Sequence, residues 1–266
     1  MSINKDTVLI TGASTGIGAV YADRFAKRGH DLVLVARDMG RMEALAERLR
    51  GQTGVAIEII GADLTLDTDL AKIEVRLAKG DIGILINNAG MSLNGSILEN
   101  GPTELSRIIA LNITAPTRLA AAAAKVFAAK GEGAVINIAS VLALAPEMFD
   151  GVYSGTKAHL LNLSQAMAAQ LSEKGVYTQA VLPGATRTEI WERSGKDVDA
   201  FPEGFVMAAD DLVDAALVGF DRREPVTIPP LPDMGQFDAM QQARAAMGPN
   251  LSKSAVAERY REAVAA

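Results

Sequence analysis

Short apolar runs alternate along the chain with longer amphipathic stretches. Aliphatic and β-branched residues crowd into Thr7–Thr11, Asp31–Ala36, Val55–Ile60, Ile82–Ile86, Ala134–Ala139, Tyr177–Leu182 and Pro225–Ile228, the length and composition of strands. Between them apolar positions recur at three- and four-residue spacing, the period of an amphipathic helix. Strand–helix–strand alternation forces parallel pairing through right-handed crossovers. The expected fold is therefore α/β, a doubly wound, Rossmann-like, seven-stranded parallel sheet with helices on both faces. Val33-Leu34-Val35 and Ile82-Gly83-Ile84-Leu85-Ile86 lack polar alternation, as strands covered on both faces require.

No linker or repeat interrupts the pattern, so residues 1–266 are expected to form a single Rossmann-type domain. Thr103 to Lys130 reads as one long helix. After the Pro183 turn, residues 189–206 form a long mixed loop of the kind that closes over a substrate, ahead of a helix beginning near Ala208. Trp191, Phe201 and Phe205, with Leu142 and Met148, either line an apolar pocket or are plain core. Pro229-Pro230-Leu231-Pro232 ends regular pairing. Beyond it, residues 231–266 make a C-terminal helical extension, with helices over Gly235–Met247 and Lys253–Val264, the second capped by Ser252, expected to pack back onto the body.

Composition narrows the function classes. Hydrophobic residues at 49% against 22% charged permit a large aliphatic core. The formal charge of −6, without a basic stripe, argues against nucleic acid. The absence of cysteine removes disulfides and thiol nucleophiles. The two histidines, His30 and His159, fall on separate elements, and no metal is expected. The chain enters its first strand without a leader pattern, and its longest apolar stretches fall short of the ~20 residues a bilayer demands. A cytoplasmic protein without a membrane partner is expected.

The first strand runs into Thr11-Gly12-Ala13-Ser14-Thr15-Gly16-Ile17-Gly18, and helical periodicity follows at once. The order is not G-x-G-x-x-G, yet the same geometry is available to it. Gly12 makes the tight turn, Gly16 removes bulk beside a pyrophosphate, and Gly18 lets helix and strand pack closely, so that the helix start faces an anion. At the end of the second strand Ala36 is followed by Arg37 where an acidic residue would accept the adenosine ribose hydroxyls. A carboxylate there repels a 2′-phosphate and a guanidinium fits one, which favours NADP(H) over NAD(H). The alternative is a surface arginine paired with Asp38 or Glu43.

Tyr153 and Lys157 stand four residues apart at the start of a predicted helix and share one face. A free tyrosine titrates at about 10, and a nearby ammonium favours its phenolate. Ser140 ends the fifth strand, whose carboxyl end borders the same crevice as the glycine turn. Asn112 lies four residues before Pro116. Proline has no N–H for the carbonyl at i−4, so the helix should kink there and leave the Asn112 carbonyl free to hold a water in a proton path from Tyr153 through Lys157. The alternatives are a surface Tyr/Lys pair and a merely structural kink.

With these motifs in order, the chain resembles the short-chain dehydrogenase/reductase family from residue 5 to about 230. The turn from Thr11 through Gly12, Ser14, Thr15, Gly16, Ile17 and Gly18 looks like the family's cofactor turn. Asp63-Leu64 resembles its adenine-contacting pair, and Asn87-Asn88-Ala89-Gly90 its segment after the fourth strand. Pro183-Gly184, with Thr186 and Thr188, resembles its nicotinamide-proximal turn. Asn112, Ser140, Tyr153 and Lys157 match its catalytic tetrad. The resemblance implies that Tyr153 moves the proton, Ser140 orients the substrate oxygen, Lys157 tunes Tyr153 and holds the nicotinamide ribose, and Asn112 supports a relay water. Thr186 departs from the family's usual aliphatic residue, and Thr15 adds no second basic group, so the NADP preference rests on Arg37.

The expected activity is hydride transfer between NADP(H) and a small-molecule carbonyl or alcohol. A 3-oxoacyl-thioester reductase and a non-catalytic dinucleotide-binding regulator are the alternatives. The Ala-rich helix Leu119–Ala129 and the Leu160–Leu171 helix could pair across a two-fold axis, so a homodimer or homotetramer is expected.

Overall fold

A computed structural model describes residues 6–95 and 97–261. Seven of its strands, β1 (Thr7–Thr11), β2 (Leu32–Ala36), β3 (Ile57–Gly61), β4 (Ile82–Asn87), β5 (Gly133–Ile138), β6 (Val176–Val181) and β9 (Val226–Thr227), form one sheet. Their order is β3-β2-β1-β4-β5-β6-β9, and every pairing is parallel. Each of the seven expected strands is present within two residues of its expected ends.

Alternate side chains of each central strand serve opposite faces. Val8 and Ile10 of β1, with Leu32 and Leu34 of β2 and Ile86 of β4, pack on Tyr21 and Phe25 of α1 (Gly16–Lys27) and on Met42 and Leu49 of α2 (Met39–Thr53). Leu9, Val33, Val35 and Leu85 face the other way, onto Leu70 and Leu77 of α3 (Asp67–Ala78) and onto Leu119 and Phe127 of α5 (Ala115–Lys130). Each fully buried Leu or Ile contributes roughly 1.5–3 kcal/mol. β3, at the sheet edge, exposes Glu58, which receives a 2.8 Å hydrogen bond from Arg76 of α3.

The strand order reverses between β1 and β4. β1 leads through α1 outward to β2, while β4 leads the other way to β5, so a crevice opens at the carboxyl ends of these two strands, where doubly wound sheets bind ligands.

The expected helix from Thr103 to Lys130 is three pieces: α4 (Pro102–Ile109), a π-helical turn over Ala110–Thr114, and α5. The irregularity falls on Asn112, four residues before Pro116, as expected, but it takes the form of a π turn. The wide turn, closed by a bond from Ala115 N–H to the Ala110 carbonyl, restarts the α ladder so that Pro116 falls in the first turn of α5, where a missing N–H costs little.

Residues 189–206 are not an unstructured loop. They hold α7 (Ile190–Arg193) and a 3-10 turn at Val198–Ala200. Short parallel strands flank them, β7 (Thr186–Arg187) and β8 (Met207–Ala208), ahead of α8 (Ala209–Asp221). α6 (Gly151–Leu171) precedes β6. The small and apolar faces expected to pair across a two-fold axis are partly spent within the chain, because Leu119, Ala123, Leu160 and Met167 are core.

Contacts divide the chain into units on either side of Pro230. The second unit contains α9 (Gly235–Met247), as expected, with Phe237 buried. The helix expected over Lys253–Val264 does not form among the described residues, where Glu258–Tyr260 make a single 3-10 turn and Ser252 caps nothing. Val264 lies outside the described residues. No helix among the described residues is long and apolar enough to cross a membrane.

Candidate active site

The glycine turn is built by close approach. Gly12, at φ +66, sits where a Cβ would come within 2.9 Å of the Ala89 Cα and of the Asn88 amide nitrogen. Gly18 is tighter still, since a Cβ there would stand 2.4 Å from the Gly12 carbonyl oxygen. Asn88 Nδ2 donates to the Thr11 and Gly12 carbonyls at 2.9 and 3.2 Å. Thr11 Oγ1 accepts from the N–H groups of Asn88 and Ala89, both at 3.0 Å, and donates to the Ile86 carbonyl. The segments after β1 and β4 are thereby locked together across the crevice. Ser14, Thr15 and Ile17 complete the turn, and Thr15 precedes α1 in extended conformation without a side-chain cap, which leaves the first N–H groups of the helix for an anion. Thr188 lies against Gly16, where a Cβ would meet its methyl at 3.1 Å.

At the far end of the crevice, Arg37 is 58% exposed and pairs only loosely, at 3.9 Å, with Asp63. Neither Asp38 nor Glu43 holds it. Asp38 instead caps α2, accepting from Arg41 N–H at 3.0 Å. Burial pushes the Asp63 carboxyl upward, but hydrogen bonds from the Thr65 hydroxyl and N–H and the charge of Arg37 outweigh it and hold the group below its ordinary value. Leu64 beside it is buried. These residues fit a dinucleotide, with a turn that excludes Cβ atoms, an open helix start and a guanidinium not tied to a tight partner.

The catalytic candidates converge at the carboxyl end of β5. Asp150 caps α6 by accepting from Val152 and Tyr153 N–H at 3.0 and 3.2 Å, which sets the helix start. Tyr153 hydrogen-bonds to Ser140. Ser140 Oγ also accepts from Leu142 N–H at 3.2 Å and lies 3.4 Å from the Pro183 carbonyl. Lys157, one turn on from Tyr153, is buried; its ammonium lies 5.6 Å from the Tyr153 ring centroid and donates to the Ile138 carbonyl at 2.9 Å. Gly90 packs beside both Asn112 Oδ1 and Lys157 Nζ.

Asn112 is occupied through its side chain, a role the sequence did not disclose. Its Oδ1 accepts from Met91 N–H at 2.9 Å, and its Nδ2 donates to the Met91 carbonyl at 2.8 Å and to Thr156 Oγ1 at 3.1 Å. It ties the segment after β4 to the helix carrying Tyr153. Thr186 Oγ1 donates to the Gly184 carbonyl at 3.0 Å, and the Thr186 carbonyl accepts the Trp191 indole N–H at 2.7 Å, which anchors α7 beside the Pro183 turn.

Charge in the site departs from the simple expectation. Burial pushes Tyr153 up to about 12, with only the Ser140 hydrogen bond opposing it, and pushes Lys157 down to about 8. Burial therefore governs the phenol, and the tyrosine is protonated at neutral pH. The sign for stability follows from the depressed Lys157. Between about 8 and 10.5 the unfolded chain binds its proton and the folded chain does not, so this group's contribution to folding rises with pH. In urea unfolding, the midpoint of the wild type should gain on that of Lys157→Met between about pH 8 and 10. A pH-independent gap would contradict a depressed ammonium.

Two clefts adjoin the site. One, of about 540 Å³, runs from Gly16 along Thr188, Glu189, Trp191 and Lys196. The other, of about 530 Å³, is lined by Gly95, Ile97, Phe149, Asp150, Gly151 and Val152. Of the apolar residues read as either pocket or core, Trp191 lines the first, whereas Phe201, Phe205, Leu142 and the 63% exposed Met148 line neither cleft. Phe149, which the sequence did not single out, packs edge-on to Tyr153 at 5.9 Å and to Trp191 at 6.4 Å. Phe201 meets Trp191 edge-on and stacks on Phe205. His30 bonds the Asp6 carbonyl and His159 bonds Thr117, and no cluster among the described residues is suited to a metal ion.

Comparison with known proteins agrees with this geometry. The short chain dehydrogenase profile matches residues 6–199. A short-chain dehydrogenase from Sphingobium yanoikuyae, solved in complex with NADPH, is 56% identical, covers 96% of this chain and 99% of its own, and superposes with a TM-score of 0.94. The bulky-bulky ketone specific alcohol dehydrogenase from Comamonas testosteroni is 50% identical over 97% of this chain and 99% of its own, with a TM-score of 0.90. Homo sapiens 17-beta-hydroxysteroid dehydrogenase type 3 is 36% identical over 182 residues, which are 68% of this chain and 59% of that protein. The chain thus spans about three-fifths of the length of that curated relative.

Proposed function

The chain belongs to the short-chain dehydrogenase family, and from that premise we propose that it is an NADP(H)-dependent oxidoreductase reducing a ketone flanked by two bulky groups. The observation that carries this reading is the placement of Tyr153 against Ser140, with the buried Lys157 ammonium one helical turn on and 5.6 Å from the Tyr153 ring, beside the glycine turn's crevice. With the Gly16–Thr188 end of one cleft given to the cofactor, its Trp191–Lys196 end and the Phe149–Val152 cleft, on either side of the Lys196–Phe149 contact, offer room for two large substituents. The ketone class named for the Comamonas testosteroni enzyme supports the same assignment.

The glycine turn and the start of α1 would hold the pyrophosphate, Arg37 the 2′-phosphate, Asp63 and Leu64 the adenine side, and Asn88, Ala89 and Gly90 the middle of the dinucleotide. Lys157, with the Pro183-Gly184 turn, Thr186 and Thr188, would hold the nicotinamide half. When bound, NADPH supplies the hydride. The protein's part is to bring the ketone oxygen to Tyr153 and Ser140, Tyr153 giving its proton and Ser140 orienting the oxygen. The phenol is protonated at neutral pH, as an ordinary tyrosine also is, and burial raises it further to about 12, so the site holds a proton for reduction. A non-catalytic regulator would have no use for this constellation. Assembly as a homodimer or homotetramer through the outer faces of α5 and α6 belongs to the same reading.

The test is NADPH consumption with a panel of dialkyl, aryl alkyl and diaryl ketones, aldehydes and 3-oxoacyl thioesters. Turnover favouring the ketones with two large groups is expected. Preference for the thioesters would move the substrate to that class, and no turnover of any carbonyl would remove the reading. Arg37→Ala should weaken NADPH binding by about ten- to a hundredfold, the scale of a lost charge-assisted hydrogen bond, and NADH binding by less than about twofold. Titration calorimetry with both cofactors decides it, equal losses contradicting the phosphate assignment.

A further inference from the structure

A single cation in the 189–206 segment reaches across to the wall beside Tyr153. α7 is anchored at its start by Trp191, as described, and ends in a left-handed cap at Gly195, φ +68. Gly195 N–H donates to the Glu192 carbonyl at 2.9 Å and Lys196 N–H to the Trp191 carbonyl at 2.8 Å, a pattern that turns the chain sharply back. The turn lies against the loop after β4, since a Cβ on Gly195 would come 3.0 Å from the Asn94 amide nitrogen. From there the Lys196 ammonium donates to the carbonyl of buried Leu93 at 2.8 Å and stands 3.7 Å above the centroid of the Phe149 ring.

A loop lysine ordinarily keeps its ammonium in water, because three strongly hydrated donors are costly to bury. Here the group is drawn under cover and satisfied by one carbonyl and one ring face. Asp150, next to Phe149 and capping the helix of Tyr153, adds its charge. Burial nevertheless holds Lys196 below the ordinary lysine range. Half-buried as it is, Lys196 makes a cation–π contact between the exposed and the fully desolvated cases. Phe149 lines one cleft and Lys196 lines the other. Their contact is therefore the partition between the two, and it joins the segment over the site to the helix that carries the proton donor.

Resting on the proposed ketone reductase activity, we propose that Lys196 is a positioning residue that seats the 189–206 segment and fixes Phe149 as the wall between the two substrate clefts, so that preference for a bulky ketone over a small one depends on it. It need not touch the substrate. Without the ammonium, the Phe149 ring loses the group that holds its outer face, and the segment loses its bond to the loop after β4. A large ketone, which reaches into both clefts, then suffers more than a small one.

The experiment compares wild type, Lys196→Met and Lys196→Arg with NADPH and two substrates, the bulkiest ketone the wild type reduces and butan-2-one. In Lys196→Met the ratio of kcat/KM for the bulky ketone to that for butan-2-one should fall about tenfold, chiefly through KM for the bulky ketone, and Lys196→Arg should restore most of it. A ratio within about twofold of wild type, or an equal fall for both ketones, overturns the proposal. Trp191 is the chain's single tryptophan and sits in the segment itself, so acrylamide quenching of its fluorescence reads seating without any turnover. Quenching should rise in Lys196→Met and return in Lys196→Arg, and equal quenching in all three proteins also overturns it. A wild type inactive on every carbonyl would defeat the ketone reading, whereas the quenching arm judges Lys196 by itself.

Discussion

Tyr153→Phe is expected to lower ketone reduction by about a hundred- to ten-thousand-fold, the range attributed to a positioned proton donor, with NADPH affinity within about threefold of wild type. The substitution removes one oxygen and keeps the ring, so the edge contact with Phe149 and the start of α6 at Asp150 should survive. What disappears is the hydroxyl shared with Ser140. Burial holds that hydroxyl protonated to about 12, so over the whole neutral range the wild type presents a donor where the variant presents none. Stopped-flow measurement of NADPH oxidation under single-turnover conditions separates the chemical step from release, and calorimetry gives the cofactor affinity. A chemical step slowed less than about tenfold would take Tyr153 out of the proton transfer.

The strands and the cofactor turn were legible because their signals are local. A run such as Ile82–Ile86 reads as buried on both faces by itself, and all of β4 is buried. The spacing of Gly12, Gly16 and Gly18 carries the turn within eight residues of chain. Ser140, Tyr153 and Lys157 come together because strand ends and helix starts fix where they lie, and Asn112 lies beside Gly90, as Lys157 does. Contacts made across long stretches of chain were hidden. Lys196 and Phe149 are 47 residues apart by their numbering and belong to no periodic pattern, so nothing local marks them as partners. The break at Asn112 lies where Pro116 puts it, four residues upstream, but a proline tells only which N–H is missing, so the π turn that restarts the ladder was hidden. The charge of the site escaped for another reason. An ammonium beside a phenol reads as acidifying until burial is known, and burial proves the larger effect on both groups.

Gly18→Ala is expected to reduce NADPH affinity by about a hundredfold or more, the cost of a displacement near 1 Å in a preorganised site. The reason is space, since Gly18 does not need a left-handed backbone. Its added methyl would stand 2.4 Å from the Gly12 carbonyl oxygen and 2.5 Å from Asn88 Nδ2, about an ångström inside ordinary contact. Neither neighbour can yield cheaply. The Gly12 carbonyl belongs to the turn itself, and Asn88 is the clamp that bonds that turn to the segment after β4. The start of α1 must therefore lift away from β1, carrying its free N–H groups off the pyrophosphate position, at an overpacking cost of about 1–3 kcal/mol in stability. Gly51→Ala makes the informative partner. Gly51 also lies in a helix, α2, with nothing within 4 Å of where its Cβ would be, so the same methyl should stabilise by roughly 0.5–1 kcal/mol. Urea midpoints moving in opposite directions, with NADPH affinity lost only in Gly18→Ala, is the expected pair of results. Wild-type affinity in Gly18→Ala would mean that the turn does not hold the cofactor.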